Sequence, residues 1–308
     1  MSAPHHSAAA LAPHLPWLAR AERKRVLAAD GVPLAYEVVG TGAQTLVLAN
    51  GLGGRLYAWA PLVEALASRY RIITWDYRGL FDSGTPEHLH HLGIRFHAED
   101  LRTILEREGV QRATLLGWSM GVQVALEMAV LYPERVHKLV LINGTHGHAI
   151  ETAFQPLFRA PWLHRYLHEL LEFVADRPRL QELLGRVMRS RLAIESVGGT
   201  MSVLRRDSRI RACYAQYQND VFGRSFRGYL RLFQELDAHS VYHHLREVPH
   251  PALLISGALD PLTPAYQTRE MMRKMPNARH VNFKLGTHFV LLEYPDATVR
   301  IVEEFLRE

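Results

Sequence analysis

Cysteine and lysine are scarce in this sequence, and long apolar runs are missing. Cys213 is the only cysteine among 308 residues, so no intrachain disulfide can form. That usage fits a reducing compartment, and a cytoplasmic location is expected. No apolar stretch approaches the roughly 18 residues a membrane span needs, so no transmembrane segment is expected. There is no lysine/arginine run, no zinc-ligand spacing and no nucleic-acid module signature, which argues against a nucleic-acid partner and a metal site. The net charge is +5, with arginine supplying nearly all of the base. A moderate excess of this kind supports solubility. The first residues are rich in Ala, His and Pro, lack a positive n-region, and are broken by Pro13, His14 and Pro16. Residues 1–23 therefore read as a flexible arm and not as a signal peptide.

The apolar residues that are present fall into short runs. Residues 25–28 and 32–39 flank Asp30-Gly31, a hairpin signal. Continuous runs follow at 45–49, 72–75, 113–116, 139–142 and 252–256, with a less apolar one at 278–283. Strands apolar on both faces suit a parallel sheet covered on each side. Helical spacing lies between them, at 59–68, 96–108, 120–131 and 297–306. The alternation predicts βαβ units. It stops after Asn143, and residues 151–236 carry four helix-like stretches, 162–174, 178–194, 207–221 and 225–236, with no good strand. The chain thus divides into the arm, a first core segment 24–145, a helical insertion 146–238 and a second core segment 239–308.

Gly117-Trp118-Ser119-Met120-Gly121 stands between a buried strand and a helix. A sharp strand-to-helix turn would push the Ser119 hydroxyl above the strand ends, and flanking glycines remove Cβ atoms that would clash there. The following helix would aim its N-terminus at developing negative charge. A serine needs a base to accept its proton. His288, in Gly286-Thr287-His288-Phe289, follows the last predicted strand, and Asp260 follows the one before it. Both belong to the C-terminal sheet edge, where open α/β folds bind ligands.

The chain order Ser119, Asp260, His288 resembles that of the α/β-hydrolase family, and the resemblance covers everything except the arm and the insertion. It implies a mostly parallel central sheet flanked by helices, with the insertion as an all-helical cap. It also implies Ser119 as nucleophile, His288 as general base and Asp260 as the orienting carboxylate. Asn50-Gly51-Leu52-Gly53-Gly54 looks like the family's His-Gly oxyanion loop, so the backbone N–H groups of Leu52 and Met120 inherit the oxyanion-hole role. Asn50 replaces the usual histidine, and its amide can still brace the loop. Asn50, Gly51 and Trp118 are expected to contact substrate. Residues 76–84 resemble the family's Asp-x-Arg-Gly-x-Gly-x-Ser turn, with Phe81 and Asp82 altering it; Asp76 and Arg78 read as scaffold ion-pair residues. In some relatives the acid follows the strand at 139–142. Here that place holds Asn143, which favours Asp260.

The insertion carries Phe154, Phe158, Trp162, Tyr166, Phe173, Tyr214, Tyr217, Phe222, Phe226, Tyr229 and Phe233, read mostly as cap core, and Arg205, Arg206, Arg209 and Arg211, read as a solvated face. The expected reaction is hydrolysis of a small to medium apolar carboxylic ester through an acyl-serine, with no metal or organic cofactor. Fold and triad leave open a carbon–carbon bond hydrolase or lactonase, a cofactor-free lyase, or a slow-turnover small-molecule receptor. They also leave open a homodimer.

Overall fold

A computed structural model describes residues 11, 13–149, 153, 161–190, 192, 207–223 and 226–308, the side chains of 161–165, 167 and 168 excepted. The apolar runs become eight strands: β1 (Glu22–Leu27), β2 (Pro33–Val39), β3 (Gln44–Ala49), β4 (Tyr70–Trp75), β5 (Ala113–Trp118), β6 (Val136–Ile142), β7 (Ala252–Gly257) and β8 (Ala278–Phe283). They form one sheet in the order β1-β2-β4-β3-β5-β6-β7-β8. The β1–β2 hairpin and the β2–β4 pair are antiparallel, and all other pairs are parallel. Gly31, at φ 82°, turns the hairpin as Asp-Gly predicts.

Alternate residues of the central strands feed two apolar layers. Val47 and Leu115 join one cluster, and Leu46, Leu48, Leu116 and Trp118 the other. Both layers are covered by helices, here α1 (Ala60–Leu66), α2 (Ile94–Arg107) and α3 (Met120–Leu131). The insertion contributes α4 (Pro161–Ala175), α5 (Pro178–Met188), α6 (Ser208–Val221) and α7 (Phe226–Ala238). The chain closes with α8 (Ala265–Lys274), α9 (Val290–Glu293) and α10 (Pro295–Arg307). Asp207 starts α6 as sequence preference dictates, its carboxylate accepting from the N–H groups of Arg209 and Ile210.

The insertion leaves and re-enters the core at one neck. Gly147 and Ser240 form an antiparallel bridge. His148 N–H donates to the His239 carbonyl at 3.1 Å, and Val241 N–H to that of His146 at 2.9 Å. Among the described residues, no helix is long and apolar enough to cross a membrane.

Two expectations need correction. The described end of the arm is packed: Leu11, Leu15 and Leu18 are buried in the apolar cluster that also holds Trp59 and Leu62, and β1 already begins at Glu22. Pro16 opens the short helix Pro16–Arg20, a first-turn position that suits proline, so the prolines do not prevent the leucines from packing. Within the insertion, Tyr166 and Phe173 are exposed and not cap core. Phe154, Phe158, Arg205, Arg206 and the Trp162 side chain lie outside the described residues. Arg209 pairs with Asp207 and Glu64.

Candidate active site

A sharp turn lies where β5 passes into α3. Ser119 sits there at φ 55° and ψ −118°, a conformation that costs a non-glycine residue about 1–3 kcal/mol. Packing on both sides enforces it. A Cβ on Gly117 would lie 2.4 Å from the Gly121 carbonyl oxygen, and one on Gly121 would lie 1.9 Å from that of Ala49. Only glycine at both places lets β3, β5 and α3 approach so closely. The Ser119 N–H donates to the Ile142 carbonyl at 3.0 Å, and the side chain stays partly exposed.

The loops after β7 and β8 bring Asp260 and His288 to this turn. Ser119 Oγ lies 3.0 Å from His288 Nε2, and His288 Nδ1 lies 2.9 Å from Asp260 Oδ2. A carboxylate can only accept, so Nδ1 carries the imidazole proton and Nε2 is left to accept from the serine. Asp260 is buried. Its Oδ2 also accepts from Asn143 Nδ2 at 2.8 Å and Thr263 Oγ1 at 2.6 Å. Its Oδ1 accepts from the N–H groups of Leu262 at 2.9 Å and Thr263 at 3.0 Å. Burial alone would raise the Asp260 pKa; the charge His288 can carry and the bonds from His288 and Thr263 outweigh it and hold the carboxyl below its ordinary range. The Trp118 indole N–H donates to the His288 carbonyl at 3.1 Å, tying the residue before Ser119 to the base.

Leu52 and Met120 line a cavity of about 80 Å³ together with Ser119 and His288. Met120 is the first residue of α3, so its N–H has no acceptor within the helix. The rest of the wall is mostly apolar, with Tyr217 from α6, Tyr229, Phe233 and Leu236 from α7, and Phe289. Among the described lining residues none is an acid, a lysine or an arginine. A larger cavity, of about 330 Å³ between α1, α6 and α10, shares no lining residue with this one.

Asn50, Gly51 and Trp118 are buried and are not among the described residues that line this cavity. The Asn50 amide donates to Thr74 Oγ1 and the Trp75 carbonyl, each at 2.9 Å, and accepts from Trp59 Nε1 at 2.9 Å. These three bonds brace the loop. Gly51 lies against the Trp118 ring, where a Cβ would come within 2.6 Å. In the turn after β4, Phe81 takes φ 51° and packs under the Arg55 guanidinium at 4.7 Å. Asp76 pairs with Arg55 at 2.8 Å, while Arg78 pairs with Asp100 and with Asp30.

Sequence reasoning gave no role to Thr263 or the Asn143 side chain, and read Tyr217 only as one of the cap aromatics. Asn143 carried a signal, since it occupies the alternative place for the acid. It is buried at φ 45° and spends its amide on Asp260 and on the Thr287 carbonyl. Among the described residues no group of three His, Cys, Asp or Glu could hold a metal ion.

Known proteins share this architecture. The family profile described as alpha/beta hydrolase fold matches residues 44–295. A 2-hydroxy-6-oxononadienedioate/2-hydroxy-6-oxononatrienedioate hydrolase of Burkholderia vietnamiensis is 33% identical over 296 residues, covering 90% of this chain and 93% of that protein. The enol-lactonase of Burkholderia xenovorans LB400 superposes with a TM-score of 0.72 at 23% identity, covering 92% of this chain and all (100%) of that one. An esterase of Exiguobacterium antarcticum superposes with a TM-score of 0.74 at 18% identity, covering 93% and 100% of the two chains. With the family profile spanning most of its length and a hydrolase relative aligned nearly end to end, the chain belongs to the α/β-hydrolase fold family and is a hydrolase.

Proposed function

We propose that this hydrolase cleaves carboxylic esters with a short, uncharged, apolar acyl group through an acyl-serine on Ser119. The observation that carries the reading is the Asp260–His288–Ser119 relay opening onto an apolar cavity. His288 takes the Ser119 proton as the oxygen attacks the ester carbonyl, and Asp260 stabilises the resulting imidazolium. The N–H groups of Leu52 and Met120 receive the oxyanion. His288 then protonates the departing alcohol, and a water molecule repeats the sequence in reverse to release the acid. The helical segment 146–238 acts as a cap that excludes bulk water and strengthens these hydrogen bonds.

The Burkholderia vietnamiensis relative supports a second reading, hydrolysis of a carbon–carbon bond. Its named substrates are dioates, which carry two carboxylates. The absence of a lysine or arginine among the described lining residues favours the neutral ester. A fluorophosphonate probe combined with p-nitrophenyl acetate and butyrate tests the first reading, and 2-hydroxy-6-oxononadienedioate the second. Labelling at Ser119 with rapid ester turnover is expected. Labelling with turnover of the dioate alone would replace the ester by the carbon–carbon substrate. Tight binding without turnover of either would make the protein a receptor.

A further inference from the structure

Helix α6 bears on the loop at 50–54 at two points and on Tyr57 just beyond it at a third. Tyr217 Oη donates to the Leu52 carbonyl at 3.1 Å. One turn further, a Cβ on Gly53 would meet Val221 Cγ2 at 2.5 Å, so helix and loop touch across a glycine that cannot be enlarged. Between them, Asp220 Oδ2 accepts from Tyr57 Oη at 2.7 Å, while its other oxygen accepts from Gln216 at 2.8 Å. The Tyr217 ring also lies 5.9 Å from that of Trp118 and 5.8 Å from that of Phe289. Those residues are the chain neighbours of Ser119 and His288. One side chain of the insertion therefore reaches the segments that carry the oxyanion donor, the nucleophile and the base. Burial drives the Tyr217 phenol well above its ordinary pKa, so it keeps its proton and donates.

We propose that Tyr217 is a positioning residue for hydrolysis: the Gly54 N–H holds the Gly51 carbonyl, in the same peptide as the Leu52 N–H, and the Tyr217 hydroxyl, by holding the Leu52 carbonyl of the next peptide, limits how far that N–H can tilt from the oxyanion. The proposal rests on Ser119 as nucleophile and Leu52 as oxyanion donor. It makes the competence of the oxyanion hole depend on α6 being seated, so the insertion controls the rate and not only access. Removing an oxyanion donor outright costs about 10²–10³ in kcat. A donor that is present but free to tilt should cost less, about tenfold.

Tyr217→Phe tests this, because it removes one oxygen and leaves the ring and the cavity wall in place. The expected result is a roughly tenfold loss of kcat, equal for acetate and butyrate esters, with KM unchanged. The rate of fluorophosphonate labelling at Ser119 should fall by the same factor, since the phosphonyl oxygen uses the same donors. The pH profile should not move. A wild-type protein that is not labelled at Ser119 overturns the reading beneath the proposal. If wild type is labelled and Tyr217→Phe matches it in kcat and labelling rate, the proposal alone falls. A loss confined to KM, or one that grows with acyl length, also overturns it and makes Tyr217 a substrate contact.

Discussion

On the proposed ester reading, the size of the cavity limits the acyl chain. At about 80 Å³, about half the roughly 150 Å³ of an apolar cavity that takes up benzene, it holds about three carbon-sized groups. Each methylene buried there contributes about 0.8 kcal/mol, so two added between acetyl and butyryl should raise kcat/KM about 15-fold. A longer chain must displace the wall, at about 1–3 kcal/mol, which returns most of that gain. The assay is a series of p-nitrophenyl esters from acetyl to octanoyl, each below its micellar limit, with a peak expected near butyryl. Phe233→Ala removes a phenyl ring from the wall and should move the peak to hexanoyl or beyond. Phe233 is only partly buried, so the folded state should survive, and Phe233→Leu gives a milder step in the same direction. A flat wild-type profile, or a peak at octanoyl, would refute the reasoning from volume. A peak that Phe233→Ala leaves in place would move that ring from the acyl side to the alcohol side.

Three further expectations follow from the site and its surroundings. Ser119→Ala should lower turnover by about a million-fold and keep the fold, and Ser119→Gly should melt higher than Ser119→Ala, because only glycine relieves the positive φ; equal melting temperatures would show that the turn is unstrained. Asp260→Asn should lower kcat by about 10⁴-fold, since an amide would oppose donors from Asn143, Thr263 and Leu262; a near-silent variant would move the orienting acid elsewhere. His97 is fully buried, and burial followed by the nearby Arg78 charge pushes its pKa down to about 3. Between about 6.5 and 3 the unfolded chain therefore binds a proton that the folded one refuses, and stability falls on acidification by up to about 1.4 kcal/mol per pH unit. His97→Gln keeps a donor for the Leu92 carbonyl and should lose stability less steeply from pH 6 to pH 4; parallel curves would remove His97 as a source of acid sensitivity.

Much of this molecule was legible because apolar runs and turn residues act locally. The runs at 113–116 and 252–256 announced buried strands, and the β5–α3 turn declared itself through Gly117 and Gly121. Strand ends were harder. The run at 139–142 begins three residues late, because Val136, His137 and Lys138 alternate in burial and do not read as a core strand. Helix α8 escaped notice because its sequence, AYQTREMMRK, is mostly polar, although Gln267 and Thr268 are buried. In the site, the order of Ser119, Asp260 and His288 could be read from chemistry and strand sequence. The bonds from Asn143 to Asp260 and from Tyr217 to Leu52 span 117 and 165 positions. Pairs that distant follow from how the sheet edge closes and leave no periodic trace.

The neck at 146–148 and 239–241 has a consequence for how such a protein can change. Seen from the sheet, the whole insertion is a single turn, because the chain departs and returns within the reach of a hydrogen bond. The entropy of closing a loop grows only with the logarithm of its length. The pairing of β6 with β7 is therefore nearly indifferent to how many residues hang beyond the neck. A lineage could lengthen, shorten or exchange that segment without shifting the register of the sheet. On the readings proposed above, it would change which molecules reach Ser119, and the hold of Tyr217 on Leu52 with it, while leaving the contacts among Ser119, His288 and Asp260 in the core; the same junction is the natural point for grafting a foreign segment.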